Sequence, residues 1–349
     1  MLTILIVVIV AALLFDYING FHDTANAIAT TVGTGVMSLS AAVLMAAVLN
    51  LVGALSGTAV ASYIANGIAD VTSVTQLVLV CALLGASTWN LITWWYGIPA
   101  SSSHALVGGL CGAVCAHMHA LHYVHWMGVC HKVLIPLVVA PVSGFLIAVI
   151  LMIIILWVVR HRHPEPVNRS ARVLQVISAA SLAFSHGLND AQKAMGIITL
   201  AVTNYVLFNG DHLPAWIEAH RSWMLPGGPK HNAVPLWVII SCAMAMALGT
   251  AAGGKRIIKT MGTKIIRITP LQGFVAQTSG TLVILFASRF GIPVSTTHNI
   301  TSAIMGAGAT RRINAVRWPI AINILIAWVL TLPMSGLITY LMTSVIERL

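Results

Sequence analysis

Charge is what this chain has least of. Only 7% of its 349 residues are Asp, Glu, Lys or Arg, where a soluble domain carries about 25%. That scarcity, beside 58% hydrophobic residues and a mean hydropathy of +0.92, excludes an ordinary water-soluble domain. Acidic residues are the rarer sign, eight against 18 Lys and Arg, so each buried carboxylate calls for a reason. The five cysteines, Cys81, Cys111, Cys115, Cys130 and Cys242, show no metal-type spacing and read as small packing residues. The first 14 residues lack a basic leader and a small-residue cleavage site, so they read as a first membrane segment. The net charge of +10 is no nucleic-acid signal, because the Lys and Arg residues collect in short stretches between apolar segments.

What the chain does have is apolar length. Stretches near 1–33, 38–60, 75–95, 98–116 and 131–159 precede a basic linker, and 173–207, 234–252, 270–290, 292–310 and 317–346 follow it. This pattern predicts an all-α polytopic membrane protein. The linker, residues 160–172, holds Arg160, Arg162, Arg169 and Arg172 against Glu165 alone. Two more basic patches run from Lys255 to Arg267 and over Arg311, Arg312 and Arg317. The positive-inside rule assigns the linker to the cytoplasm, and counting crossings assigns the other two patches there as well. The loop from Phe208 to Asn232, the stretch around His117, His119, His122, His125 and His131, and both termini then fall outside. Those histidines are irregularly spaced with no acidic companion, so they read as a solvated or interfacial loop. Trp89, Trp94 and Trp95 fit an aromatic belt. An odd number of crossings per half makes residues 1–159 and 173–349 two inverted-topology repeats. A re-entrant hairpin in each half leaves that parity unchanged.

The duplication is written in the residues. Gly97-Ile98-Pro99-Ala100-Ser101-Ser102-Ser103-His104 returns as Gly291-Ile292-Pro293-Val294-Ser295-Thr296-Thr297-His298, with five of the eight positions identical. Gly20-Phe21-His22-Asp23-Thr24-Ala25-Asn26-Ala27 aligns with Gly187-Leu188-Asn189-Asp190-Ala191-Gln192-Lys193-Ala194. Pro99 and Pro293 suit the first turn of a helix. The hydroxyls and free amides after them lie at the positive end of the helix dipole, a natural anion cradle. Two such ends facing each other can replace the hydration shell of a tetrahedral oxyanion.

Three of the eight acids, Asp16, Asp23 and Asp190, fall within membrane segments, where a carboxylate costs about 2.5–3.5 kcal/mol on insertion scales. Asp23 and Asp190 are repeat equivalents and read as binding a cation or carrying a proton. Asp16 aligns with Ala183 and reads instead as interfacial or satisfied by neighbouring backbone. Gly20 and Gly187, set among polar residues in mid-segment, predict broken helices there. Lys193 aligns with Asn26 and needs an anion, for which Asp190, one turn back, is the candidate. His104 and His298 are read as relays or braces of the hydroxyl loop. His22, which pairs with Asn189, is a further candidate relay or support of lesser weight, and His186, which pairs with Asn19, is not its repeat equivalent and carries less weight as well.

These motifs resemble the inorganic phosphate transporter (PiT) family, and the match covers both halves in order. The carrying residues are Asn19 to Asn26, Phe184 to Asp190 and the two Pro-x-Ser-Ser/Thr-Ser/Thr-His stretches. The form Gly-x-Asn-Asp-x-Gln-Lys is similar to the bacterial low-affinity branch. The resemblance implies a secondary active transporter that imports inorganic phosphate by symport, in the bacterial inner membrane, with a site at mid-membrane. Carried onto this sequence, Ser101, Ser102, Ser103, Ser295, Thr296 and Thr297 would bind phosphate. Asp23, Asn26, Asn189 and Asp190 would hold the coupling ion. Lys193 takes the electrostatic place of one cation, which favours protons over sodium, the alternative ion. Similar proteins carry phosphate as a neutral metal complex, so a divalent metal belongs to the substrate if anywhere; no resident metal or cofactor is expected. The expected partners are phosphate, a coupling cation and the lipid bilayer, with a homodimer as an allowed assembly. A sulfate or other oxyanion permease on the same scaffold is the second reading. An intramembrane hydrolase built on Ser102 or Ser103 and His104 is disfavoured, since duplication argues against a single nucleophile.

Overall fold

The computed structural model describes residues 2–67, 74–209, 214–227, 233–310 and 312–348. Among the described residues every regular element is helical. In chain order these are α1 (Leu2–Gly33), α2 (Leu39–Ala54), α3 (Ala59–Gly67), α4 (Gln76–Tyr96), α5 (Ser102–Met118), α6 (Trp126–Val129) and α7 (Ile135–Val159). The second half follows with α8 (Pro164–Asn209), α9 (Ala215–Ala219), α10 (Arg221–Met224), α11 (Leu236–Ala252), α12 (Lys255–Lys259), α13 (Pro270–Arg289), α14 (Thr296–Ala309) and α15 (Trp318–Ile346). Among the described residues five helices, α1, α4, α13, α15 and the run Trp126–Val159, are long and apolar enough to cross a membrane. The chain is thus a multi-pass membrane protein.

Two expectations need correction. The ten apolar stretches are not ten simple spans. The stretch 38–60 divides into α2 and α3, and α11 bends by 61° into the helix after it. Nor do helices break at Gly20 and Gly187, for α1 and α8 run straight through both. These glycines serve close packing instead. A Cβ on Gly20 would lie 2.4 Å from the Met246 carbonyl oxygen of α11, and one on Gly187 would lie 2.1 Å from that of Asn50 in α2. Reciprocally, a Cβ on Gly249 of α11 would lie 2.0 Å from the Tyr17 carbonyl oxygen, and one on Gly53 of α2 would lie 2.0 Å from that of Phe184. The first helix of each half is therefore pressed onto the second helix of the other half, backbone to backbone.

The same exchange recurs further along. Helix α5 packs on α15, and α14 packs on α7. Within each half α4 lies beside α5 and α13 beside α14, so each Pro-Ser motif is the tip of a helical hairpin. The tips are built alike. Gly97 and Gly291 both adopt a left-handed backbone, φ +65° and +64°, which lets the chain turn out of the preceding helix. Ser101 then caps α5 by accepting from the His104 amide at 3.3 Å, and Ser295 caps α14 by accepting from that of His298 at 3.2 Å.

One end of the molecule gathers basic residues. Thr34 Oγ1 donates to Gln175, just past the linker, at 3.0 Å. A Cβ on Gly33 would lie 2.4 Å from the Gly262 carbonyl oxygen, and the Arg317 amide donates to that of Ile265 at 3.0 Å. Arg311 and residues 210–213 and 228–232 of the long loop lie outside the described residues. His117, at the end of α5, contacts Glu347, just past α15, at 2.5 Å. Trp94 and Trp95 hold the Arg256 guanidinium over their rings, at 5.2 and 4.3 Å.

Candidate phosphate and coupling-ion site

The two hairpin tips meet, and α1 and α8 cross beside them. Ser103 of one tip donates to the Val294 carbonyl of the other at 3.3 Å. Behind the tips the rings of His104 and His298 lie 5.0 Å apart, and His298 stacks on Trp328 at 4.0 Å. Ser101 to Ser103, Ser295 to Thr297, Asp23, Asn26, Asn189, Asp190 and Lys193 are all buried, none more than 5% exposed. The site is occluded from both faces.

The hydroxyls are engaged by the carboxylates. Asp23 accepts from Ser102 of the first tip at 3.1 Å and from Thr297 of the second at 3.2 Å. Thr296 donates to Asp190 at 3.2 Å. Asn26 donates to Thr296 and Thr297, at 3.2 and 2.9 Å, and Asn189 donates to Asp190 at 2.9 Å and to the Val294 carbonyl at 3.0 Å. A hydroxyl has one proton to give. Ser102, Thr296 and Thr297 therefore serve an aspartate or an anion, but not both at once. Ser101 and Ser295 spend their acceptor capacity as helix caps while keeping their protons for another partner.

Each aspartate also faces a histidine. His22 Nδ1 lies 2.7 Å from Asp23, and its Nε2 lies 3.2 Å from Thr93 Oγ1. Thr93 already directs its proton to the carbonyls of Trp89 and Asn90, at 3.1 Å. So Nε2 is the donor toward Thr93, and the short Nδ1 to carboxylate contact holds one shared proton. His186 is fixed in the same way: Thr250 donates to the Met246 carbonyl, Asn50 donates to Thr250, and the Asn50 oxygen takes the Nδ1 proton at 3.1 Å. His186 Nε2 then looks at Asp190 from 3.2 Å, and Lys193 Nζ sits 2.7 Å from the other oxygen of Asp190.

His186 is the residue that sequence reasoning passed over, because its repeat equivalent is Asn19. Its ring joins Asp23 and Asp190 in a cluster whose ligand atoms lie within 4.8 Å of one another, small enough to hold one cation. The usable signal was its spacing of four residues from Asp190, one helical turn. Asp16 is the other surprise. It is neither interfacial nor satisfied by backbone: it is fully buried, and neither carboxyl oxygen has a hydrogen-bond partner.

A family model described as the phosphate transporter family matches residues 19–339. The chain belongs to the phosphate transporter family. It is 44% identical over 339 residues to a probable low-affinity inorganic phosphate transporter of Rhizobium meliloti, covering 97% of this chain and 95% of that protein. It is 41% identical over 353 residues to a protein of the same description from Bacillus subtilis, covering 99% of each. A solved structure described as the sodium-dependent phosphate transporter shares the fold, with a TM-score of 0.85 at 24% identity over 99% of this chain and all of that one. Membership of this family makes the chain a transporter, not an enzyme.

Proposed function

We propose that this phosphate transporter imports inorganic phosphate by proton symport, exchanging the Asp23 and Asp190 carboxylates for phosphate as acceptors of the Ser/Thr hydroxyls. One observation carries the reading: Ser102 and Thr297, one from each hairpin tip, both give their protons to Asp23. Phosphate needs those same donors. Neutralising the aspartate releases them, so a positive charge must arrive with the substrate. Protons suit the task because His22 shares one with Asp23 and because Lys193 already supplies a fixed cation at the second aspartate. Sodium at the Asp23, His186 and Asp190 cluster is the alternative, favoured by its cation-sized spacing.

In this reading residues 1–159 and 173–349 are inverted repeats joined by a cytoplasmic linker. The reciprocal packing of α1 on α11 and α8 on α2 supports it. The basic end of the molecule then faces the cytoplasm of a bacterial inner membrane, and both termini lie outside. Phosphate travels free or as a neutral metal complex, which dependence of uptake on added magnesium distinguishes.

The test is uptake of radiolabelled phosphate into proteoliposomes under separately imposed proton and sodium gradients. Proton-driven accumulation is the expected result, and accumulation driven by sodium alone would overturn the choice of ion. Sulfate carried in preference to phosphate would overturn the substrate. Ser102→Ala removes one donor to a charged acceptor, an interaction of about 1.5–3 kcal/mol, and should raise the apparent KM roughly tenfold or more.

A further inference from the structure

Two short helices close over the hairpin tips, and neither has a part in the symport scheme above. Helix α3 follows α2 and packs on α8, and α12 follows α11 and packs on α1 and α4. Their places correspond. Gly53 of α2 and Gly249 of α11 make matching contacts on the first helix of the opposite half, and Val60 and Arg256 fall equally far past them. Each short helix abuts the turn glycine of one tip. A Cβ on Gly291 would lie 3.0 Å from the Ala59 carbonyl oxygen of α3, and one on Gly97 would lie 3.5 Å from that of Arg256.

What fastens them differs. Gln192 of α8 stands between Asp190 and Lys193, and its Oε1 accepts from the amides of Val60 at 2.6 Å and Ala61 at 3.2 Å. These are first-turn amides, which a helix cannot satisfy by itself. Val60, Ala61 and Gln192 are all buried, so α3 cannot lift from α8 without breaking both bonds. In the first half Ala25 holds the place of Gln192 and has no such acceptor. Arg256 fastens α12 instead. Its guanidinium, over the Trp94 and Trp95 rings, donates to the Trp95 carbonyl at 2.6 Å. The Trp94 ring meets that of Phe21 at 5.4 Å. Phe21 and Trp94 adjoin His22 and Thr93, which face each other beside Asp23. Both fastenings are therefore tied to a site aspartate, Gln192 along α8 and Arg256 through Trp94 and Phe21.

The two helices lie on opposite sides. Past α12, the Gly262 carbonyl meets Gly33, next to the Thr34 that donates to Gln175 just beyond the linker. Tyr63 of α3 donates instead to the Gly128 carbonyl at 3.3 Å, and Lys132 lies over its ring. Gly128 is at the start of the long run Trp126–Val159, and the linker follows its end.

We propose that α3 and α12 are two gates over the phosphate site, and that Gln192 and Arg256 are the positioning residues that hold them shut. Freeing Arg256 lifts α12 from Gly97 and opens the first tip toward the linker's side. Freeing α3 from Gln192 opens the second tip the opposite way. The proposal rests on the phosphate site described above, but not on the choice of ion or on which side is cytoplasmic.

The experiment measures how fast a charged, membrane-impermeant maleimide labels a cysteine placed at a tip, by Ala100→Cys or Val294→Cys. The full chain carries Cys130→Ser, because Cys130 is partly exposed while the other four cysteines are buried. Reagent reaches one face at a time, in cells and in inside-out vesicles, and Arg162→Cys identifies the linker's side. Arg256→Ala should speed labelling of Ala100→Cys from the linker's side by roughly fivefold or more, and Gln192→Ala should do the same for Val294→Cys from the opposite side. Labelling sped equally from both sides, from the wrong side or from neither overturns the proposal, since a merely loosened fold has no sidedness. Should either variant fail to insert, Trp95→Leu and Val60→Pro test the same two fastenings under the same expectations. The proline removes an amide that Gln192 holds and suits a first helical turn. Saturating phosphate should slow labelling of both cysteines where α3 and α12 are unaltered. Sided labelling without that protection overturns the placing of phosphate and upholds the gates.

Discussion

Asp23→Asn should abolish phosphate accumulation in protein that still inserts and purifies normally. Among the described residues Asp23 is the one side chain bonded by hydroxyls from both hairpin tips, and it makes a short contact with His22. An amide there keeps the size but cannot be neutralised by a proton, so the hydroxyls are no longer exchanged in step with a cation. The amide NH2 must also replace either the oxygen that faces His22 and Thr297 or the one that faces Ser102, so at least one of three buried contacts loses its acceptor. Losing one partner of a buried charged contact costs about 3–5 kcal/mol, which corresponds to roughly 100-fold or more in uptake. Accumulation within tenfold of wild type, measured by radiolabelled uptake on equal amounts of inserted protein, would remove Asp23 from the coupling role. Exchange without accumulation would instead show that the cradle survives and that coupling alone is lost.

The second large effect is expected at Lys193. Its ammonium is 1% exposed and sits 2.7 Å from an Asp190 that is wholly buried. Lys193→Met removes the cation and leaves the carboxylate with His186 at 3.2 Å, the Thr296 hydroxyl at 3.2 Å and the Asn189 amide at 2.9 Å, none of them a fixed positive charge. The protein should be less heat-stable by the cost of stranding a buried charge, about 3–5 kcal/mol. Asp190→Asn with Lys193→Met removes both charges and should recover most of that stability while remaining inactive in uptake. Thermal unfolding in detergent compares the three. If the double variant loses as much stability as Lys193→Met and Asp190→Asn do together, the interaction energy in the double-mutant cycle is near zero and the pair is not the structural unit described here.

The parts of this molecule differ in how plainly residues announce them. The helix start at each Pro-Ser motif was legible because fixed φ at proline and capping hydroxyls act within a few residues, whereas its place at the tip of a hairpin was not, since a full span can start the same way. The Lys193 and Asp190 pair was legible for the same reason, being one turn apart. The role of Gly20 and Gly187 was misread because a glycine among polar residues fits a helix break or a close contact equally well. Only the partner helix decides, and α11 and α2 lie far away in sequence. His186 and Asp16 break the repeat, facing Asn19 and Ala183 in the alignment, so duplication gives neither of them a role. What matters for them is which residue of α8 comes near which residue of α1, a fact set by the crossing of two long helices. The engagement of Ser102, Thr296 and Thr297 by aspartates was invisible for the same reason. Motifs give the donors, but the competition between carboxylate and anion appears only when the tips are brought together.

That competition is the centre of the account, and a phosphate-bound structure tests it most directly. A map determined from protein saturated with phosphate at low pH should show a tetrahedral anion between the two hairpin tips. It should lie within hydrogen-bond distance of Ser102, Thr296 and Thr297, with those hydroxyls turned away from Asp23 and Asp190. A bound anion elsewhere, with the three hydroxyls still held by the two aspartates, would contradict it.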